Sequence, residues 1–336
     1  MLRHDNTHWC LRWFDKWEPV LDEALTDLPK HPLWPNELLR DMFHWDIGAR
    51  KKVVLVTERE TPIAIVGLRV RGGGIYDPLG QTFVIPHFHL VGKVELTTEI
   101  LTSLRVPLIV NWWRMPLPPP SPSLPTVRSF QTKPHYILRL EEDPEVYWRS
   151  SGQLKTVRNM RNRCKNFKLL VDPVGGAGWV TRRWGEDWRI ALDDVTRRIL
   201  AAEYLERLGK YHSLLLQDGD KPVAGCTILV HGNDIVGLVN HRDRAYDRYG
   251  VGIHLMDLSF QWAKQSGFHS YDIGTTQQYK AGWAPVSNDH QWAMIEMSSE
   301  YYFRLRQIRK ALTAVLEGSS RAALHVGKHL FANRHR

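Results

Sequence analysis

Residues 271–283 read Tyr-Asp-Ile-Gly-Thr-Thr-Gln-Gln-Tyr-Lys-Ala-Gly-Trp, which puts a carboxylate, a phenol and an amine in one short stretch. Lys280 is an ammonium able to neutralise a developing oxyanion or a phosphate. Tyr279 and Asp272 are groups that give or take a proton. A structural reading stands beside this one, with Tyr279 and Trp283 packing and Lys280 solvated. A second stretch, residues 246–256, carries Arg248, Gly250, Val251 and Gly252 where a helix would begin. Glycines there let backbone N–H groups point outward at the positive end of the helix dipole, a place to hold phosphate or pyrophosphate. An ordinary strand-to-helix turn has the same composition. A third stretch is basic, with Lys155, Arg158, Arg161, Arg163, Lys165 and Lys168 and no acidic residue from 155 to 170. On a helical wheel Arg158, Arg161 and Lys165 fall in one row, a ridge that suits the phosphates of a nucleotide or of RNA, or else a solvated face.

Weaker signals are quickly placed. His241-Arg242-Asp243 resembles an acid–base cluster just before the Gly250 turn, so His241 and Asp243 are kept as substrate contacts together with Trp283. Arg71-Gly72-Gly73-Gly74 lacks a following Lys-Ser/Thr pair and reads as a turn. His87 and His89 lack a third ligand at metal spacing, so no metal site is expected. No Gly-x-Ser-x-Gly elbow occurs.

The elements that must position these groups follow from pattern. Prolines crowd residues 116–125 and hold the chain extended, so the chain divides there. Expected are a first unit at 1–115, a linker at 116–126, a second unit at 127–317 and a basic tail at 318–336. In the first unit the pattern predicts a helix at 35–43, strands at 53–57 and 62–68, a helix near 94–104 and a strand at 107–111. In the second it predicts a strand at 135–140 and a helix with Leu154, Val157, Met160, Cys164 and Phe167 on one stripe. A strand at 168–172 follows, then a helix from 187 to 208 with Trp188, Leu192, Val195, Ile199 and Tyr204 on one face. After a hairpin at 211–230 come a strand at 234–240, a helix at 252–265, strands at 270–273 and 291–297, and a helix at 300–316. Both units show a helix before a hairpin, 53–68 in one and 211–230 in the other, a likeness of layout that suggests duplication.

The chain has 336 residues, 43% hydrophobic and 24% charged, close to ordinary globular proteins, which excludes disordered and collagenous classes. Forty-five Lys and Arg against 36 Asp and Glu give a formal charge of +9, so an anionic partner is expected. Three Cys without a Cys-x-x-Cys pair argue against a disulfide framework or a cysteine zinc site. The first residues lack the apolar stretch of a secretory signal, so a cytoplasmic protein is expected. Fourteen Trp beside 11 Tyr and 10 Phe read mostly as core.

Taken in order, the basic helix at 155–165, the hairpin with its Asp-Gly-Asp-Lys-Pro turn, Tyr249-Gly250-Val251-Gly252, and Tyr271-Asp272-Ile273-Gly274 followed by Tyr279-Lys280 resemble the GNAT acyltransferase superfamily. The likeness is to its CelD/BcsL-like and FemAB-like branch. It covers roughly residues 136–297 and implies an α/β fold of mixed sheet in two GNAT-like domains, the N-terminal one degenerate. In that family a Gln/Arg-x-x-Gly-x-Gly/Ala pattern grips the pyrophosphate of acyl-coenzyme A. Gly250 and Gly252 match it, while Asp247 stands where Gln or Arg is usual. In FemAB-like proteins the donor is aminoacyl-tRNA, and a Phe-Lys pair places a lysine in the reaction cavity, for which Tyr279-Lys280 looks like the equivalent. The resemblance implies direct attack of an amine or hydroxyl on an activated acyl group, with acetyl-coenzyme A or aminoacyl-tRNA as donor. Lys280, Tyr279 and Asp272 would be catalytic. Arg248, Gly250, Val251, Gly252, Arg158, Arg161 and Lys165 would hold the donor. The acceptor would be a small molecule, peptide or envelope precursor bearing an amine. A third reading is a catalytically silent module that binds an anionic polymer, a partner protein or an acidic membrane surface, the last through Arg304, Arg306, Arg309 and Lys310 at the inner face of the membrane.

Overall fold

Continuous apolar runs such as residues 53–56 and 63–68 suit strands buried on both faces, and in the computed structural model the strands pair edge to edge with helices between them. The structure describes residues 9–70, 74–83, 88–112, 127–275 and 278–297. The expected linker, the final helix with its arginines, the tail and His87 lie outside them. The first half runs β1 (Trp9–Phe14), α1 (Pro19–Asp27), α2 (Leu38–Trp45), β2 (Lys51–Glu58), β3 (Thr61–Val70), β4 (Tyr76–Pro78), α3 (Leu79–Thr82), β5 (Val91–Gly92), α4 (Thr97–Ser103) and β6 (Leu108–Trp112). The second half opens with β7 (Val127–Arg139), α5 (Pro144–Ser150), α6 (Leu154–Arg163), β8 (Lys168–Val171), α7 (Gly176–Trp188) and α8 (Leu192–Arg207). It continues with β9 (Tyr211–Asp218), β10 (Lys221–His231), β11 (Asp234–Arg242), α9 (Val251–Gln265), β12 (Ser270–Thr275) and β13 (Val286–Met297). Two 3-10 turns, Arg244–Tyr249 and Gln278–Gly282, flank the candidate site.

The architecture is mixed α/β. The strands join in the order β1-β2-β3-β4-β6-β13-β7-β12-β11-β10-β9-β8, with β5 beside β3. Long β7 links the two ends, because residues 127–136 pair with β13 and residues 135–139 with β12. β13 in turn pairs with β6, so the last described strand lies beside the first half. The likeness of the two hairpins is visible in their burial, with a continuous buried run in both β3 and β10. β2 and β3 are joined through Arg59 and Glu60, both at positive φ, and β9 and β10 through a turn with Gly219 at φ 60°.

One expected helix is placed differently. Residues 187–208 are not one helix, since α7 ends at Trp188, Arg189 turns left-handed at φ 52°, and α8 starts at Leu192. Trp188 is exposed and does not share the face of Val195 and Tyr204. α7 escapes sequence reading because Gly176, Gly178 and Gly185 are poor helix formers. Packing requires the last of them, as a Cβ at Gly185 would meet Val195 Cγ2 of α8 at 2.4 Å. α8 also carries the contact between halves: Arg197 donates to Asp46 at 2.9 Å, and Arg69 flanks the same carboxylate at 3.3 Å.

Candidate active site

The parallel pair β11 and β12 shapes the site. Their register runs Asp234 to Ser270, Ile235 to Tyr271 and Val236 to Asp272, where the pairing ends. Beyond it β11 stays on β10 as far as Arg242, while β12 bulges against β7 between Asp272 and Thr275. Two parallel strands that part at their C-terminal ends leave a crevice, the usual place for a ligand in an α/β sheet.

Alternation along β12 sends Tyr271 into the core beneath α9, where it meets Phe260 at 4.9 Å, and sends Asp272 to the opposite face. There Asp272 is enclosed and accepts from His135 Nδ1 at 2.5 Å and from the Gly274 N–H at 2.7 Å. These bonds hold the bulge, in which Gly274 has φ 84°. Lys280 returns over it and donates to the Ile273 carbonyl at 2.6 Å. A Cβ at Gly274 would lie 3.2 Å from Lys280 Nζ, so glycine keeps this approach open. Burial lowers the Lys280 pKa, and the Asp272 carboxylate opposes that shift. The Tyr279 phenol is pushed up by burial, with Arg242 pulling it the other way.

The turn that carries Lys280 is clamped from α5. Tyr147 donates to the Ala281 carbonyl at 2.5 Å, Ser151 to Gly282 at 2.8 Å and the Trp148 indole to Trp283 at 3.3 Å. Trp283 is a buried packing residue, edge-on to Trp148.

At the other side of the crevice α9 begins at Gly250, left-handed at φ 74° and without a side-chain cap. A Cβ at Gly250 would fall 1.8 Å from Met160 Sδ, so glycine is needed for α6 to lie against this helix start. Val251 is buried, and a Cβ at Gly252 would meet the Arg242 stem at 3.1 Å. Arg242 pairs with Asp247 at 2.7 Å, so the carboxylate standing in the phosphate-loop pattern is met by a neighbouring cation. Arg248 stacks on Tyr249 at 4.7 Å, and Arg163 donates to the Arg248 carbonyl at 3.1 Å.

Arg158 and Arg161 do not form an unpaired ridge, because the acidic partners missing from their own helix come from its neighbours. Arg158 meets Glu145 of α5 at 3.0 Å; Arg161 bonds Glu145 and grips buried Asp257 of α9 through two bonds of 2.8 Å. Those bonds, led by the one to Arg161, hold the Glu145 carboxyl below its usual range. Lys165 is exposed. His241 bonds Asp187 at 2.7 Å beside Trp179. Asp243 caps the 244–249 turn at the Ala245 N–H and pairs with Lys221 at 2.9 Å, which lowers its pKa. Sequence reasoning missed His135, Arg242 and the α5 clamp. Arg242 was in view inside His241-Arg242-Asp243; His135 lies 137 residues from its partner and gives no local signal.

Among the described residues no group of three or more His, Cys, Asp or Glu could hold a metal, and no helix is long and apolar enough to cross a membrane.

Residues 177–281 match the family model described as an acetyltransferase (GNAT) domain. No curated protein matches the chain. Among solved structures, a conserved protein of unknown function from Bacteroides thetaiotaomicron is 11% identical, covers 85% of this chain and 100% of its own, and has a TM-score of 0.50. L-PGS from Bacillus licheniformis is 13% identical over 83% of this chain and 91% of its own, with a TM-score of 0.47. A tandem GNAT protein from the clavulanic acid biosynthesis pathway is 10% identical over 85% and 98%, also at 0.47.

Proposed function

Residues 177–281 match a GNAT acetyltransferase domain, and from that premise we propose that the chain transfers an acyl group from acyl-coenzyme A to an amine or hydroxyl acceptor by direct attack. The observation that carries this reading is the crevice between β11 and β12, with the uncapped start of α9 on one side and Lys280 on the other. Donor phosphates would sit on the Val251 and Gly252 N–H groups, which begin the helix, with Arg242 and Arg248 beside them. The acyl carbon would lie in the crevice. Lys280 would stabilise the tetrahedral oxyanion. Asp272, pinned by His135, would hold the bulge and the lysine in place, and Tyr279 would hand a proton to the leaving group. His241 with Asp187 would face the acceptor.

The test is calorimetric titration of the full chain with acetyl-coenzyme A. Saturable binding that Arg242→Ala and Gly252→Asp each weaken at least tenfold supports the reading. No binding, joined to aminoacyl-tRNA binding that falls steeply with salt, transfers the donor site to RNA. Binding of neither donor, with retention on anionic vesicles, leaves the silent-module reading.

A further inference from the structure

A cavity of about 410 Å³ opens on another flank of α9, between its middle turns and helices α5 and α6. Its charged walls are mutually satisfied. Glu145 is met by Arg158 and Arg161, and Asp257 by Arg161 and by Gln261 at 2.9 Å. His254 is the exception. The residue is 7% exposed, Nδ1 is enclosed without a hydrogen-bond partner, and no residue among those described bonds to Nε2 either. Buried polar groups are normally bonded, and an imidazole with neither nitrogen bonded in a cavity wall points to a partner that the chain does not itself supply, reached through Nε2, the nitrogen that is not fully enclosed. Burial lowers the His254 pKa, Asp257 opposes this and Arg161 adds to it, so the ring is neutral near pH 7 and offers one donor and one acceptor.

We infer that this cavity is a binding site for a small organic ammonium ligand, separate from the candidate active site. The sign follows from the walls: the carboxylates of Asp143, Glu145 and Asp257 face a single lining guanidinium, Arg161, with Arg158 outside the lining. Glu145 and Asp257 are met by arginines, and Asp143 has no cation partner among the described residues, so the wall is negative in sum and disfavours an anion. An ammonium group can donate to His254 and to Asp143, of whose two oxygens one already accepts from the Glu145 N–H. Trp148 and Leu258 supply an apolar wall for the body of the ligand. The same Trp148 donates to Trp283 and its helix clamps the Lys280 turn, so an occupant would brace α5 where α5 positions that lysine.

The test uses the full chain and three probes of one shape, benzylamine, benzyl alcohol and benzoate, at pH 7.5 in a calorimeter. Benzylamine is expected to bind saturably, and the neutral and anionic probes at least tenfold more weakly. His254→Leu should lower benzylamine affinity at least tenfold. Asp143→Asn, which keeps the α5 cap, should lower it at least threefold should the leucine variant fail to fold. Arg242→Ala, at the candidate donor site, should leave it unchanged. No saturable binding of benzylamine, equal binding of all three probes, or full affinity in both cavity variants overturns the proposal. None of these results bears on acyl transfer, which the coenzyme titration tests separately.

Discussion

Lys280 is the residue on which the functional reading turns, and its environment gives it a testable signature. Burial holds its folded pKa below that of the unfolded chain, about 10.4 for an unperturbed lysine. Between the two values the unfolded chain binds more protons than the folded one, so stability of the native protein rises with pH across that interval. Lys280→Met removes this dependence. The melting temperature of the variant minus that of the native chain should therefore fall as pH is raised from 7 toward 11, and thermal scans at four or five pH values check the sign. In an acyl-transfer assay the same variant should lose roughly 10²–10³-fold in turnover, the usual size for removing one oxyanion donor; unchanged turnover would take Lys280 out of the mechanism. Much of this site was legible in the sequence, because Asp272, Tyr279 and Lys280 lie within one short segment whose chemistry can be read locally. His135 was not, since its role arises only when β7 and β12 pair and set its ring 2.5 Å from Asp272.

Elements, rather than single side chains, explain why Gly250 stands where it does. A sequence reading sees a glycine that frees backbone N–H groups; the structure adds a packing demand from α6, since Met160 Sδ lies 1.8 Å from where a Cβ would be. Left-handed φ and overpacking act together, so Gly250→Ala should lower unfolding free energy by about 2–4 kcal/mol, measured by urea titration. In a double-mutant cycle Met160→Ala should cost less in the Gly250→Ala background than alone, the difference being the packing part. The opposite change is available in the β2–β3 hairpin, whose turn residues Arg59 and Glu60 sit at φ 50° and 71°. Replacing them with Asn and Gly suits that conformation and should raise stability by about 1–2 kcal/mol. The main hairpins and α9 were readable because alternation and glycine punctuation are local signals. α7 was not, because its glycines argue against a helix until α8 is packed against them.

At the scale of the whole molecule, the proline-rich stretch suggests two separable units, and the strand order shows how closely they are joined. β13 lies between β6 and β7, so the strand path crosses from one half to the other without a break. A second tie is ionic: Asp46 of the first half, fully enclosed, is held by Arg197 of α8 and by Arg69 of β3. Arg197 also bonds Asp194, which Arg69 approaches at 3.6 Å. Neither Asp46 nor Arg197 is a residue type that pattern places inside a core; only the meeting of the halves buries them. Removing Asp46 leaves the buried Arg197 with only the half-exposed Asp194 as its carboxylate partner, so Asp46→Ala should lower stability by about 2–3 kcal/mol, less than a fully unpaired buried charge costs. Because the sheet is continuous, that loss should shift a single unfolding transition instead of splitting it in two. Replacing both partners, Asp46→Leu with Arg197→Met, should recover most of the loss, as buried ion pairs often exchange for apolar ones at little net cost. Two transitions in calorimetry of the Asp46→Ala chain would show that the halves unfold independently, and would place their coupling in this ion pair rather than in the strands.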